Sequence, residues 1–180
     1  SHTATALKLS WLARLRAASR YATDLLQREP QGVRLLGEDL QPLTAEAITA
    51  EMESSAGRQD NAEDAVRLVR GIRRRELFRV ATGDLLGLVD VADTGAALSR
   101  ITDATLEATL GVATRAVLEQ RELAEPPTRI AVVAMGRYGG FELSYGSDAD
   151  VMFVHDPVPD ADPHASSSFA MAVCNELQQL

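Results

Sequence analysis

Residues 134–154 decide how this chain is interpreted, and their sequence is Ala134-Met-Gly-Arg-Tyr-Gly-Gly-Phe-Glu-Leu-Ser-Tyr-Gly-Ser-Asp-Ala-Asp-Val-Met-Phe-Val154. The pattern predicts a strand, a glycine turn, a short helix, and then Gly-Ser-Asp-x-Asp, which leads into a second strand. Asp148 and Asp150 are two residues apart at the predicted start of that strand. Because side chains alternate along a strand, we expect both carboxylates on one face. Such a pair beside a Gly-Ser turn is typical of a site for hard divalent cations that carry phosphates, as in nucleotidyl transfer.

The Gly-Ser turn before the two aspartates has the composition of a phosphate cradle. Gly146 would let the backbone approach a phosphate without a side chain in the way, and Ser147 would donate from its hydroxyl and its N–H. Asp148 and Asp150 would hold one or two Mg²⁺ ions, which neutralise and orient the triphosphate of ATP. An ordinary turn capped by aspartate would have the same composition. This element alone therefore leaves both interpretations open.

The glycines upstream, at Gly136, Gly139 and Gly140, do not have the G-x-G-x-x-G spacing of a dinucleotide-binding fold. We expect them instead to open a short helix over residues 141–145, whose N-terminus would face a phosphate. Arg137 would add a positive charge there. The alternative for Arg137 is an ordinary surface residue.

Composition restricts the classes of function. The 180 residues carry a formal net charge of −8, which argues against a non-specific nucleic-acid binder, although bound metal can reverse the charge locally. Cys174 is the only cysteine, which excludes an internal disulfide and fits a reducing, cytoplasmic compartment. No apolar run approaches the roughly 18 residues that span a bilayer, and no signal-peptide pattern begins the chain. We therefore expect no nucleic-acid partner and no membrane partner.

Apolar residues recur at helical spacing through the first two thirds of the chain. The four predicted helices cover residues 7–28, 44–57, 61–88 and 95–121. Thr44, Asp60 or Asn61, and Thr94 are the expected starts of the last three, and a short helix or turn is expected over residues 32–40.

Pro126-Pro127 marks the clearest boundary, because two prolines cannot continue a helix. Beyond it, Arg129–Ala134 is a continuous, mostly apolar run that predicts a strand covered on both faces. A second strand over residues 151–154, a loop over 156–163 and a helix over 165–180 follow. The predicted class is α+β, with a helical region at residues 1–125 and the opening of an α/β domain at 126–180.

Three other features could suggest a functional role, but a structural role explains each of them better. The Arg73-Arg74-Arg75 run is flanked by acidic residues and predicts a solvated, salt-bridged helix face. His155 is a bystander, since hard cations prefer oxygen ligands. Cys174 lies on an apolar helix face and is expected to be buried and inert.

Taken whole, the segment resembles the signature of the glutamine synthetase adenylyltransferase family, the adenylyl-transferring and adenylyl-removing enzymes. The matching positions are Gly136, Gly139, Gly140, Glu142, Leu143, Tyr145, Ser147, Asp148 and Asp150. The segments at residues 19–26 and 73–86 are also similar to that family, so that the resemblance spans most of the chain.

The resemblance implies a nucleotidyltransferase domain of the polymerase-β type, with a mixed sheet, preceded by a helical region. It implies transfer of AMP from ATP to a tyrosine of glutamine synthetase, with Mg²⁺ at Asp148 and Asp150 and with a PII-type signalling protein and glutamine as regulators. Glu-Leu-Ser-Tyr followed by Gly-Ser-Asp-Ala-Asp is more similar to the adenylylating copy of the domain than to the copy that removes AMP by phosphorolysis.

One departure from the family concerns a third carboxylate, which such transferases carry on a later strand. The acidic residues after Asp150 fall in the predicted loop or on the last helix, and none is well placed. The sequence therefore predicts a fragment of a longer enzyme with an incomplete site. The rival interpretations are the phosphorolytic copy and a helical module that docks a partner protein without activity of its own.

Overall fold

A computed structural model describes residues 10, 12–13, 17–36 and 40–179. Residues 7–9, 11 and 14–16 of the predicted helix over residues 7–28, residues 37–39 of the predicted 32–40 segment and the last residue lie outside these ranges. Helix α1 spans Arg20–Arg28, and a 3₁₀ helix follows at Pro30–Leu35. Three longer helices come next: α2 at Ala45–Gly57, α3 at Ala62–Leu85 and α4 at Val91–Gln120.

Polar side chains cap these helices at their N-termini. Thr44 accepts from the N–H of Ala47 at 3.3 Å and Asn61 accepts from that of Asp64 at 2.8 Å, which confirms both predicted starts. The predicted start of the fourth helix at Thr94 is wrong. Asp90 caps α4 by accepting from the N–H of Asp93, so the helix begins one turn earlier.

The second part of the chain contains two strands and two helices. Strand β1 spans Thr128–Ala134 and β2 spans Val151–Pro157, with the four-residue helix α5 at Gly136–Gly139 between them and α6 at Pro163–Gln179 after them. The strands pair antiparallel, with Ala134 opposite Val151. The α+β class is confirmed. The two strands described give no parallel pairing, which the predicted mixed sheet would need.

The strand prediction requires two corrections. Strand β2 begins at Val151, as predicted, but Asp148 and Asp150, which were expected at the start of the strand, lie in the segment before it. It also runs on to Pro157, which shortens the predicted loop. Residues along β1 alternate between partly covered and exposed, because α6 packs against one face of the pair. The expectation of a strand covered on both faces is therefore wrong for the described residues.

Helix α4 connects two hydrophobic clusters. Its first half packs with α2 and α3 around fully buried side chains such as Met52, Phe78 and Ile101. Its second half packs against α6, where Val117 meets Phe169 and Val173. Tyr138 and Leu143, from the loop between the strands, belong to the first cluster. The loop that carries the predicted site is thus seated directly on the helices.

The arginine run takes part in a charged cluster between α2 and α3. Arg75 donates to both carboxylate oxygens of Glu51, at 2.9 and 2.6 Å, and this hydrogen bonding lowers the pKa of Glu51. The predicted salt-bridged face is confirmed for Arg75. The sequence analysis did not predict that Glu76 is buried, with 1% exposure, between Arg75 and Arg79. No helix that the structure describes is long and apolar enough to cross a membrane.

Candidate functional site

The candidate site is the loop from Met135 to Asp150 that joins the two strands. Its helix is α5, and the predicted helix over residues 141–145 is absent from it. Gly139 and Gly140 close α5 by donating their N–H groups to the carbonyls of Met135 and Gly136. Phe141 then has a φ of 58°, and this left-handed backbone ends the helix before the predicted one would begin.

Two glycines meet the demands of this backbone. Gly136 has a φ of 54°, which side-chain-bearing residues rarely adopt. Gly139 approaches β1 so closely that an added Cβ would stand 2.7 Å from the carbonyl oxygen of Ala134. Larger residues at either position would force the loop to move. The glycines therefore shape the loop, while a phosphate-facing helix N-terminus has no counterpart in a four-residue helix.

Asp150 lies beside the first of these glycines. The N–H of Met135 donates to the Asp150 carbonyl at 2.9 Å, which extends the pairing of the strands by one step. A Cβ on Gly136 would lie 3.5 Å from the Asp150 carboxylate oxygen Oδ2. The structure thus brings together two of the predicted site residues, Gly136 and Asp150. Because Gly136 has no side chain, the carboxylate is left uncovered on that side.

Asp148 and Asp150 are both exposed, and no hydrogen bond or ion pair joins either carboxylate to another described residue. Such side chains are open to ligands from outside the chain. Their common direction was inferred from the alternation of side chains along a strand, but both residues lie before β2, so the shared face stays a prediction. Within the described ranges, no group of three acidic, histidine or cysteine residues could hold a metal ion.

The turn before Asp148 is closed by serines. Ser147 donates its N–H to the Ser144 carbonyl at 3.0 Å, and its hydroxyl accepts from the Ser144 N–H at 3.0 Å. Ser147, and not aspartate, therefore stabilises this turn. An added Cβ on Gly146 would meet nothing within 4 Å, so the space in front of this residue is open.

Two tyrosines fasten the loop to the helices. Tyr138, only 4% exposed, donates its hydroxyl to Asp103 of α4 at 2.5 Å. Tyr145 donates to Asp84 of α3 at 2.8 Å. Burial first, and then the hydrogen bond to the carboxylate, raises the pKa of each tyrosine above its ordinary value. Both hydroxyls consequently stay protonated as donors throughout the neutral range.

Further contacts seat the same loop. The ring of Tyr145 lies 5.0 Å from that of Tyr21 in α1, measured between centroids. Gly95 of α4 approaches the loop backbone, since an added Cβ would stand 3.1 Å from the carbonyl oxygen of Phe141. Asp84 and Asp103 were missed by the sequence analysis as site residues. The sequence shows only that each is an acidic residue within an otherwise apolar helix stripe, and this does not indicate which residue it bonds.

The remaining candidates lie apart from this arrangement. Arg137 is exposed, and its carbonyl accepts from the N–H of Glu142 at 2.8 Å. His155 contacts Thr128 at 3.1 Å and stands five residues beyond Asp150, roughly 16 Å along an extended strand. Cys174 is half-buried, where full burial was predicted, and burial raises the pKa of its thiol.

Comparison with known proteins identifies the family of the chain. The family described as glutamate-ammonia ligase adenylyltransferase matches residues 9–180. The chain belongs to this family. The predicted resemblance is thereby confirmed, and the loop from Met135 to Asp150 lies within the matched region.

Individual adenylyltransferases of the family show the same relationship. The bifunctional glutamine synthetase adenylyltransferase/adenylyl-removing enzyme of Streptomyces avermitilis is 42% identical over 188 residues, covering 94% of this chain and 18% of that enzyme. The enzyme of the same description from Streptomyces coelicolor is 41% identical over the same shares. That of Cutibacterium acnes is 43% identical over 144 residues, covering 79% of this chain and 14% of the enzyme. The chain thus spans less than a fifth of these adenylyltransferases.

Proposed function

We propose that the loop from Met135 to Asp150 takes part in ATP-dependent transfer of AMP to a tyrosine of glutamine synthetase. The observation that carries the proposal is the uncovered Asp150 carboxylate beside Gly136, in a chain of the adenylyltransferase family. The relatives' shared description names both the adenylyl group and glutamine synthetase. Proteins with this role act in the regulation of nitrogen assimilation, and we propose a cytoplasmic location for it.

The reaction would proceed by displacement at the α-phosphorus of ATP. A tyrosine oxygen of glutamine synthetase would form the new bond to that phosphorus while the bond to the bridging oxygen of pyrophosphate breaks. The tyrosine proton would leave to solvent or to a base, and pyrophosphate would depart. The open space before Gly146 would admit the phosphates, and the exposed guanidinium of Arg137 would add positive charge.

The carboxylates of Asp148 and Asp150 fit Mg²⁺ by donor chemistry and by access. Carboxylate oxygens are the ligands that this ion prefers, and both side chains are exposed and form no hydrogen bond or ion pair with a described residue. When bound, Mg²⁺ would supply the positive charge that neutralises the phosphates of ATP. The two aspartates would hold that charge at the edge of the loop.

The reverse activity is the second candidate. The relatives' description includes removal of the adenylyl group, which would use phosphate to release AMP from the same tyrosine as ADP. The Glu-Leu-Ser-Tyr segment before Gly146 favours the adenylylating copy. A PII-type signalling protein and glutamine are the proposed regulators of the balance between the two directions.

The test measures AMP transfer by the natural gene product that contains this sequence, using glutamine synthetase and labelled ATP. Asp148→Asn and Asp150→Asn are expected to lose at least about 100-fold in rate, since each removes a carboxylate charge that would hold Mg²⁺. Asp160→Asn is the matched control, because Asp160 is exposed in the loop after β2 and asparagine tolerates its φ of 66°.

Near-normal transfer by Asp148→Asn and Asp150→Asn would contradict the metal-site proposal. Labelled glutamine synthetase incubated with phosphate distinguishes the two directions, because only the removing activity releases ADP. Partner binding that survives both substitutions while neither activity is present would favour a docking module.

A further inference from the structure

The hydrogen bond between Tyr138 and Asp103 connects helix α4 to the short helix α5 in the loop. The Tyr138 ring is buried in the main hydrophobic cluster, and its hydroxyl reaches Asp103 across 35 positions of sequence. Asp103 is half-buried on α4, and its neighbours Thr102 and Ala104 are buried. The hydroxyl therefore meets its partner at the edge of the core.

Only a short and rigid connection separates Tyr138 from Asp150. Tyr138 belongs to α5, two residues after Gly136, where an added Cβ would lie 3.5 Å from the Asp150 carboxylate oxygen Oδ2. Met135, directly before Gly136, donates its N–H to the Asp150 carbonyl at 2.9 Å. At the other end of α5, an added Cβ on Gly139 would stand 2.7 Å from the Ala134 carbonyl oxygen. Because α5 has no free space against β1, a shift of Tyr138 moves the backbone that faces Asp150.

We infer that Asp103 is a positioning residue: through the Tyr138 hydroxyl it fixes α5 and thereby the place of the Asp150 carboxylate. The inference rests on the proposed function, because its effect is measured as a metal requirement at Asp150. Hydrophobic burial holds the Tyr138 ring in the core, but a ring alone can slide or rotate. The hydrogen bond to a carboxylate adds a directional constraint that burial does not supply.

The experiment titrates Mg²⁺ in the AMP-transfer assay of the natural gene product at saturating ATP. Tyr138→Phe and Asp103→Ala are each expected to raise the Mg²⁺ midpoint about 5-fold while the rate at saturating Mg²⁺ changes little. Combining them is expected to add nothing further, since either one breaks the same bond. Asp103→Asn keeps an acceptor oxygen and is expected to restore most of the midpoint.

Glu107→Gln supplies the control, because Glu107 is exposed on the same helix one turn later. It is expected to leave the midpoint unchanged. Thermal unfolding of every variant separates the midpoint from loss of folded enzyme, and if Asp103→Ala does not fold, Tyr138→Phe decides alone.

Asp150→Asn in the same assay distinguishes failure of the positioning role of Asp103 from failure of the proposed metal site. If Asp150→Asn abolishes transfer while folded Tyr138→Phe keeps the wild-type midpoint, the positioning role is wrong and the proposed function stands. If Asp150→Asn transfers AMP normally, the metal site itself is wrong, whatever Tyr138→Phe does. A shifted midpoint in Glu107→Gln equal to that in Asp103→Ala would also overturn the inference, since the effect would then be general charge loss.

Discussion

The Tyr145 hydroxyl donates a hydrogen bond to Asp84 at 2.8 Å, across 61 positions of sequence. This bond holds the turn before Asp148 against helix α3, while Tyr138 and Asp103 hold the other end of the loop against α4. The exposed carboxylates therefore stand on a loop that is anchored on both sides. A mobile loop could present the same residues, but it would have to order them at each binding event.

Tyr145→Phe is expected to destabilise the chain by about 1–3 kcal/mol, because it leaves the Asp84 carboxylate without its donor. Urea unfolding at neutral pH measures the loss. Tyr21→Phe is the control, since Tyr21 packs against the same ring and no described residue forms a hydrogen bond with its hydroxyl. Equal losses in both variants would mean that general packing, and not the bond to Asp84, accounts for the effect.

The same bond gives stability a dependence on alkaline pH. The folded pKa of Tyr145 is raised above its ordinary value of 10.0, so the unfolded chain loses this proton first. The stabilisation is complete below pH 10 and is lost as pH rises above that value. The fall in stability between pH 9 and 11 is expected to be shallower in Tyr145→Phe than in the parent chain.

Gly139→Ala is expected to destabilise the loop by more than about 1 kcal/mol, because the new Cβ would stand 2.7 Å from the Ala134 carbonyl oxygen and the backbone must shift. Gly111→Ala is the matched control, since an added Cβ there meets nothing within 4 Å and alanine favours a helix. Thermal unfolding compares them. A loss in Gly139→Ala no larger than the change in Gly111→Ala would show that the loop accommodates the methyl group.

The starts of α2 and α3 could be predicted from the sequence because they depend on nearby residues, whereas the tyrosine–aspartate bonds could not because their partners lie far apart along the chain. Thr44 and Asn61 cap helices through residues three positions away, and such contacts are encoded in short patterns. Asp84 and Asp103 bond tyrosines far along the chain, and only the folded arrangement of α3 and α4 determines those pairs. The apolar run of residues 151–154 gave the start of β2 correctly, but it did not reveal that Asp148 and Asp150 lie before the strand and not on it.

Gly146→Val is expected to weaken nucleotide binding more than it lowers thermal stability. The space before Gly146 is open, so the valine side chain meets no part of the chain but would crowd an approaching phosphate. Titration of the natural gene product with ATP and Mg²⁺ measures the affinity. Gly57→Val is the control, since that helix end is equally open and lies outside the loop. Unchanged ATP affinity in Gly146→Val would contradict a phosphate-binding role for the turn.

Glu76→Gln is expected to cost about 3 kcal/mol of stability, because it removes the buried negative charge that pairs with the partly exposed Arg75 and Arg79. Glu63→Gln, an exposed change near the start of the same helix, is expected to stay within about 0.5 kcal/mol. Urea unfolding compares the two variants. Equal stabilities would mean that the arginines recover their solvation by moving out of the core.

The 180-residue chain by itself is expected to be catalytically inert. Two aspartates would hold a metal loosely, while a third carboxylate would complete the site and help to activate the attacking hydroxyl, and the described residues contain no such group of three. The helices are nevertheless expected to fold, because α2, α3 and α4 share a buried core. We expect a helical circular dichroism spectrum with cooperative unfolding, weak binding of ATP with Mg²⁺, and no AMP transfer to glutamine synthetase.

The measurement incubates this chain with glutamine synthetase and labelled ATP beside the Streptomyces avermitilis enzyme as a positive control. Robust labelling would show that one of the chain's own carboxylates completes the site.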